Sequence, residues 1–192
     1  MQDDSQLEPG SPADGAAAVE VKPVGEQYSL LEYFDDLKAV LMSPRRFTAE
    51  KAGGGSLAKP FVFVASCSMI GAIGYGLVHQ LYMAIPNFFL TCMLENYLIG
   101  FLFHWLFKLF GGKAPLRDSL RACNYSIAPS VVLGVPILGT VAAVYSAVIL
   151  FFGMRTVHQM SSVKAALLVG IPIVTCTVAG YFLLPLISSH HI

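Results

Sequence analysis

The stretch PFVFVASCSMIGAIGYGLVHQLYM, residues 60–83, runs 24 residues without a formal charge as long as His79 is neutral. A helix rises about 1.5 Å per residue, so about 20 such residues cross a hydrocarbon core of about 30 Å. Lipid, not water, is the solvent that suits this sequence. Composition agrees: 55% of the 192 residues are hydrophobic and 12% are charged, against roughly 25% charged in soluble domains. Past Lys59 the acids are Glu95 and Asp118, and the bases are Lys108, Lys113, Arg117, Arg121, Arg155 and Lys164.

Outward from this span, Ala84–Asn87 forms a turn, and Phe88–Phe107 makes a second span that carries Glu95 and His104. A basic loop, Lys108–Arg121, contains Gly111-Gly112. Ala122–Met154, 33 residues, is too long for one span and short for two, and Pro129, Gly134, Pro136 and Gly139 break it. It reads as two short spans or as a hairpin dipping into the bilayer. A second basic loop, Arg155–Lys164, leads to a last span, Ala165–Ile187, and a polar tail over 188–192.

Every lysine and arginine lies in the N-terminal region or at the two basic loops, and the alternate connections have none. By the positive-inside rule the N-terminus is cytoplasmic and the C-terminus lies on the opposite side. The expected fold is therefore an all-α integral membrane protein. It is a five-span helical bundle over 58–187, third and fourth spans short and hairpin-like, with an N-terminal cytoplasmic amphipathic helix. Ser68, Ala72 and Gly76 on the first span, and Gly139, Ala143 and Ala147 on the fourth, recur every four residues. Small residues so spaced let helix backbones approach.

Residues 1–27 are rich in Pro, Gly, Ala and acids without an aromatic residue, and are expected to be a disordered leader rather than a signal peptide. Residues 28–57 form a cytoplasmic helix and linker. Ser29-Leu30-Leu31-Glu32 fits a capping box, and Leu30, Phe34, Leu37 and Leu41 recur at helical spacing. Ser43-Pro44 ends that helix and can start a short second one. The polar face holds Glu32, Asp35 and Asp36, so it suits docking against the cytoplasmic loops better than anionic lipid. Gly53-Gly54-Gly55-Ser56 reads as a flexible joint.

For chemistry the sequence offers little. Glu95, eight residues past Asn87 and so about 12 Å deep, is the one acid within a span. It reads either as a proton or cation site or as a neutral carboxyl hydrogen-bonded to a neighbouring helix. His79, across a short hairpin, is a candidate partner for it. His104 falls on the opposite face from Glu95 and, a turn from Lys108, suits headgroup contact. The four cysteines lack a C-x-x-C pair, and the histidines lack metal-ligand spacing, so no metal or cofactor is expected. No nucleophile elbow, H-E-x-x-H or P-loop occurs, and zero net charge gives no case for nucleic acid.

Phe110-Gly111-Gly112-Lys113, then Tyr125-Ser126-Ile127-Ala128-Pro129, resembles the signature region of the Yip (Ypt-interacting protein) domain family. Gly153-Met154-Arg155-Thr156-Val157-His158, with Ser161 to Ala165, is similar to the loop before that family's last span, and Pro44–Phe47 is similar to a segment before the first span of prokaryotic members. The resemblance covers about 28–187. It implies five spans with a cytosolic N-terminus; eukaryotic members associate with Rab GTPases and secretory vesicles. The short leader suits the prokaryotic branch and hence a bacterial inner membrane. No catalytic or binding residues carry over. The expected function is a non-enzymatic scaffold or adaptor in the bilayer, its basic cytoplasmic loops meeting anionic lipid headgroups or a protein partner. The alternative is a small ion or proton channel or transporter using Glu95 and the Pro-broken helices.

Overall fold

The computed structural model describes residues 28–188, so the leader and the tail beyond Ser188 lie outside the described residues. Within them the chain is all helical, with no strand: α1 (Leu30–Met42), α2 (Pro44–Lys51), α3 (Ala58–Val78), α4 (Ile85–Leu109), α5 (Leu116–Ser126), α6 (Pro136–His158) and α7 (Ser162–Ser188), plus 3-10 turns at Tyr82–Ala84 and Ala128–Val132. Among the described residues four helices, α3, α4, α6 and α7, are long and apolar enough to cross a membrane.

The capping box forms at α1. Glu32 N–H donates to Ser29 Oγ, and Ser29 N–H donates to Glu32 Oε2, both at 3.2 Å. Pro44 opens α2 at the first-turn position, where its missing N–H costs no hydrogen bond. The buried face of α1 is Tyr33, Asp36 and Val40. Leu37 and Leu41 of the expected stripe pack partly against the same core, but Leu30 is 79% and Phe34 59% exposed. Apolar residues lie on both the inner and the outer side of α1, so one stripe does not define its inner face. Among the described residues, its acidic face meets Lys59 and Lys51 rather than the loop bases. Glu32 Oε1 lies 3.2 Å from Lys59 Nζ, and Asp36 Oδ1 lies 3.4 Å from Lys51 Nζ.

An aromatic chain fixes α1 and α2 to the bundle. Tyr33 packs on Phe63 of α3, Phe63 on Tyr125 of α5, and Tyr125 on Phe47 of α2, with ring centroids 5.5, 5.1 and 4.8 Å apart. Each such pair contributes about 0.5–1.5 kcal/mol beyond burial. The Gly53–Ser56 joint is clamped rather than free. Gly54 N–H donates to Asp118 Oδ1 at 3.1 Å, and the Arg121 guanidinium donates to the carbonyls of Gly54 and Ser56.

The Ala122–Met154 region departs from expectation. Leu116–Arg121 is not loop but the first turns of α5, and α6 is a full-length helix of 23 residues. The short element is therefore α5 with its 3-10 extension alone. It follows α3 along much of its length: Asp118 meets Gly54, Tyr125 meets Phe63, and Gly134 lies backbone to backbone against Gly74. Ser119, Ala122, Cys123, Asn124, Tyr125 and Ser126 of α5 are buried. A helix sheathed by other helices needs no apolar coat, only partners for its polar groups.

Candidate functional site

The expected bases fall on helices more than on loops. Lys108 belongs to α4, Arg117 and Arg121 to α5, Arg155 to α6 and Lys164 to α7, leaving Lys113 in a connection. All gather at the end of the bundle where α3 begins, since Arg121 reaches Gly54 and His158 of α6 reaches Ser119 of α5. Lys108, Lys113, Arg117 and Lys164 are exposed; Arg121 and Arg155 are half-buried.

Beneath this basic end lies a polar cluster that the sequence reading missed. Ser119 Oγ is 2.8 Å from His104 Nδ1 and 2.9 Å from His158 Nε2, and all three side chains are buried. The hydroxyl has one proton. If it donates to one imidazole, the other must donate its own N–H to the same oxygen. His104 thus faces protein, not headgroups.

The Gly111-Gly112 pair now has a physical role. Gly111, at φ 93°, gives α4 a left-handed end; Gly112 N–H donates to Phe107 O at 2.8 Å and Gly111 N–H to Lys108 O at 3.0 Å. This double closure caps a helix C-terminus. A Cβ on Gly112 would collide with the His158 ring, so the second glycine admits the histidine. In the connection after α6, Gln159 (φ 53°) ends that helix in the left-handed conformation before α7. The two motif regions quoted above are therefore one packed unit.

A second polar group sits deeper. Asn96 Nδ2 donates to Asn124 Oδ1 at 2.8 Å, Asn124 Nδ2 donates to the Tyr97 hydroxyl oxygen at 3.2 Å, and the Cys123 thiol donates to Asn96 O at 3.3 Å. Beside it, α4 to α7 border a cavity of about 440 Å³ lined by Glu95, Asn96, Ser126, Ala143, Ala147 and Thr177, among others. Glu95 is exposed at this cavity. His79 is exposed at the end of α3, its ring 4.4 Å from that of Tyr75. No hydrogen bond joins His79 and Glu95 among the described residues. Tyr75 stacks on Phe88 at 4.7 Å, which sets the register, and Glu95 lies seven residues, about 10 Å, further along α4. Ser68, Ala72 and Gly76 are buried; on α6 Gly139 is buried, Ala147 half-buried and Ala143 exposed. Among the described residues no group of three or more His, Cys, Asp or Glu side chains is placed to hold a metal ion.

Two groups at the α1 end are electrostatically displaced. The Ser29 backbone N–H and then Lys59 hold the Glu32 carboxyl below its ordinary range. Burial, then the hydrogen bond to Asp36 (2.8 Å), pushes the Tyr28 phenol up.

A family model for the Yip1 domain matches residues 38–184, from within α1 to within α7. No curated protein and no solved structure matches the chain. With most of the sequence under one family model, and with the quoted motifs meeting at Gly112 and His158, the chain belongs to the Yip1 domain family.

Proposed function

We propose that the protein is a non-enzymatic membrane scaffold whose α1–α2 segment and basic end form a cytoplasmic docking face for lipid or protein partners. The observation that carries this is the fixed seating of α1 and α2 on the bundle. The Tyr145 hydroxyl, midway along α6, donates to Leu41 O at 2.6 Å; Tyr33 touches Cys67 at 3.4 Å; and Phe47 packs on Tyr125. A segment held this way presents constant geometry to a partner. The path of α5 and its 3-10 turn beside α3 supports five passes, with the N-terminus and the basic end in the cytoplasm and the C-terminus opposite. The Pro44–Phe47 segment supports a prokaryotic-type member in a bacterial inner membrane.

The second reading, a small ion or proton conductor, draws on Glu95 at its intramembrane cavity. Reconstitution separates the two. The scaffold reading expects proteoliposomes with no proton or cation flux above that of Glu95→Gln, and a partner that co-purifies in mild detergent and is lost when residues 1–57 are removed. Flux that depends on Glu95 defeats it.

A further inference from the structure

An open groove of about 780 Å³ separates α2 from the last turns of α6, within the roughly 300–1,000 Å³ of ligand clefts. We propose that this groove binds the phosphate headgroup of an anionic phospholipid. The proposal deepens the scaffold reading and rests on its placing of the basic end at a membrane face.

Three guanidinium groups line the groove: Arg45 and Arg46 from α2, and Arg155 from α6. A guanidinium matches a phosphate with two parallel N–H donors, which an ammonium cannot do. Neither Arg45 nor Arg155 has a carboxylate partner among the described residues. Arg46 meets Glu50 at 2.9 Å, but with side chains 82% and 58% exposed that pair holds it weakly. Ser43 makes no side-chain capping bond to α2, so its hydroxyl and the first amides of α2 also remain to an anion at this wall.

Polarity along the groove points to a lipid rather than a soluble anion. Arg155, Thr156 and Gln159 line it near the end of α6, while Phe152, about one turn deeper, and Met160 add apolar wall. An amphiphile with its phosphate at the arginines can lay its glycerol and first methylenes along Phe152. Inorganic phosphate leaves that wall unused.

The test uses the full chain in neutral-headgroup detergent, titrated with phosphatidylglycerol or phosphatidylcholine and read by native mass spectrometry. Phosphatidylglycerol should be retained in preference to phosphatidylcholine. Arg45→Gln and Arg155→Gln should each weaken it about five-fold, as expected for one cation near an anionic surface. Arg155 is half-buried, so the exposed Arg45 variant carries the result if the other fails to fold. Equal retention of both lipids, or an unchanged preference in Arg45→Gln, overturns the proposal. So does inorganic phosphate that displaces phosphatidylglycerol at comparable concentration, because the site would then be one for soluble anions. Loss of lipid preference with partner capture intact removes this groove and leaves the scaffold; Glu95-dependent flux removes the scaffold itself.

Discussion

Ser119 Oγ lies within 2.9 Å of His158 Nε2 and within 2.8 Å of His104 Nδ1, so one hydroxyl on α5 ties together the ends of α4 and α6. Removing it leaves two buried imidazole nitrogens without that partner. Each orphaned group costs about 1–3 kcal/mol where the unfolded reference reaches water. The cluster lies under the basic end, near headgroup level, so that reference applies better than the hydrocarbon one, where bonds average about 0.6 kcal/mol. Ser119→Ala should lower stability by about 2 kcal/mol, read as thermal unfolding in detergent, and Ser119→Thr should recover part of it. Equal stability of the Ala variant and the native chain would show that the three groups do not act together.

Gly112 and His158 should be energetically coupled. An added methyl at Gly112 meets the His158 ring, and overpacking of this kind costs about 1–3 kcal/mol. In a His158→Ala background the clash with the ring is gone, and only the approach to the Phe107 carbonyl, 2.8 Å away, remains. A double-mutant cycle should therefore give a coupling of at least about 1 kcal/mol between Gly112→Ala and His158→Ala. Strict additivity contradicts the contact.

These two residues also show what the sequence could and could not convey. The Ser29 capping box, the Ser43-Pro44 junction and the long apolar helices were legible because each is a local pattern. α5 was not, because hydropathy assumes that every membrane-level residue faces lipid. Asp118 and Arg121 read as loop, yet Gly54 partners both. One signal was available: Ser119, Ala122, Cys123 and Ser126 stand at helical spacing, a small and polar face suited to close packing. The link from His158 to Ser119 spans 39 residues and has no local signature. The His79–Glu95 pairing rested on depth counted from a hairpin, and the Tyr75–Phe88 register moved the two apart.

The start of α1 should resist mild acid. With its carboxyl held below the ordinary carboxylate range, Glu32 contributes stability above about pH 4.3, and that contribution is lost as the pH falls through the lower folded-state value. The difference in unfolding midpoint between native chain and Glu32→Gln should be constant from pH 7 to about pH 5 and vanish at lower pH. A difference that grows on acidification has the wrong sign for a carboxylate stabilised by Ser29 and Lys59.

Tyr145 should govern how firmly α1 is held. Its hydroxyl donates to Leu41 O at 2.6 Å, one of the last four carbonyls of α1, which lack N–H partners within the helix. Tyr145→Phe keeps the ring and removes about 1 kcal/mol of hydrogen bonding. Hydrogen exchange in residues 38–47 should speed up several-fold while α6 stays unchanged. Unaltered exchange there would mean that the aromatic chain through Tyr33, Phe63, Tyr125 and Phe47 seats the segment alone.

The path of residues 116–134 decides the number of crossings. Hydropathy alone counts four long spans among the described residues, an even number that would put the start of α3 and the end of α7 on one side. Contacts argue for a fifth pass: Asp118 is level with Gly54 before α3, and Gly134 is level with Gly74, near the far end of α3. Single cysteines at Asn87, Lys113 and Val135, in a chain with its four native cysteines replaced, distinguish the two. An impermeant thiol reagent should reach Asn87→Cys and Val135→Cys from one compartment and Lys113→Cys from the other. Labelling of Val135→Cys together with Lys113→Cys would make α5 a re-entrant helix, and the C-terminus would then share the side of the basic end.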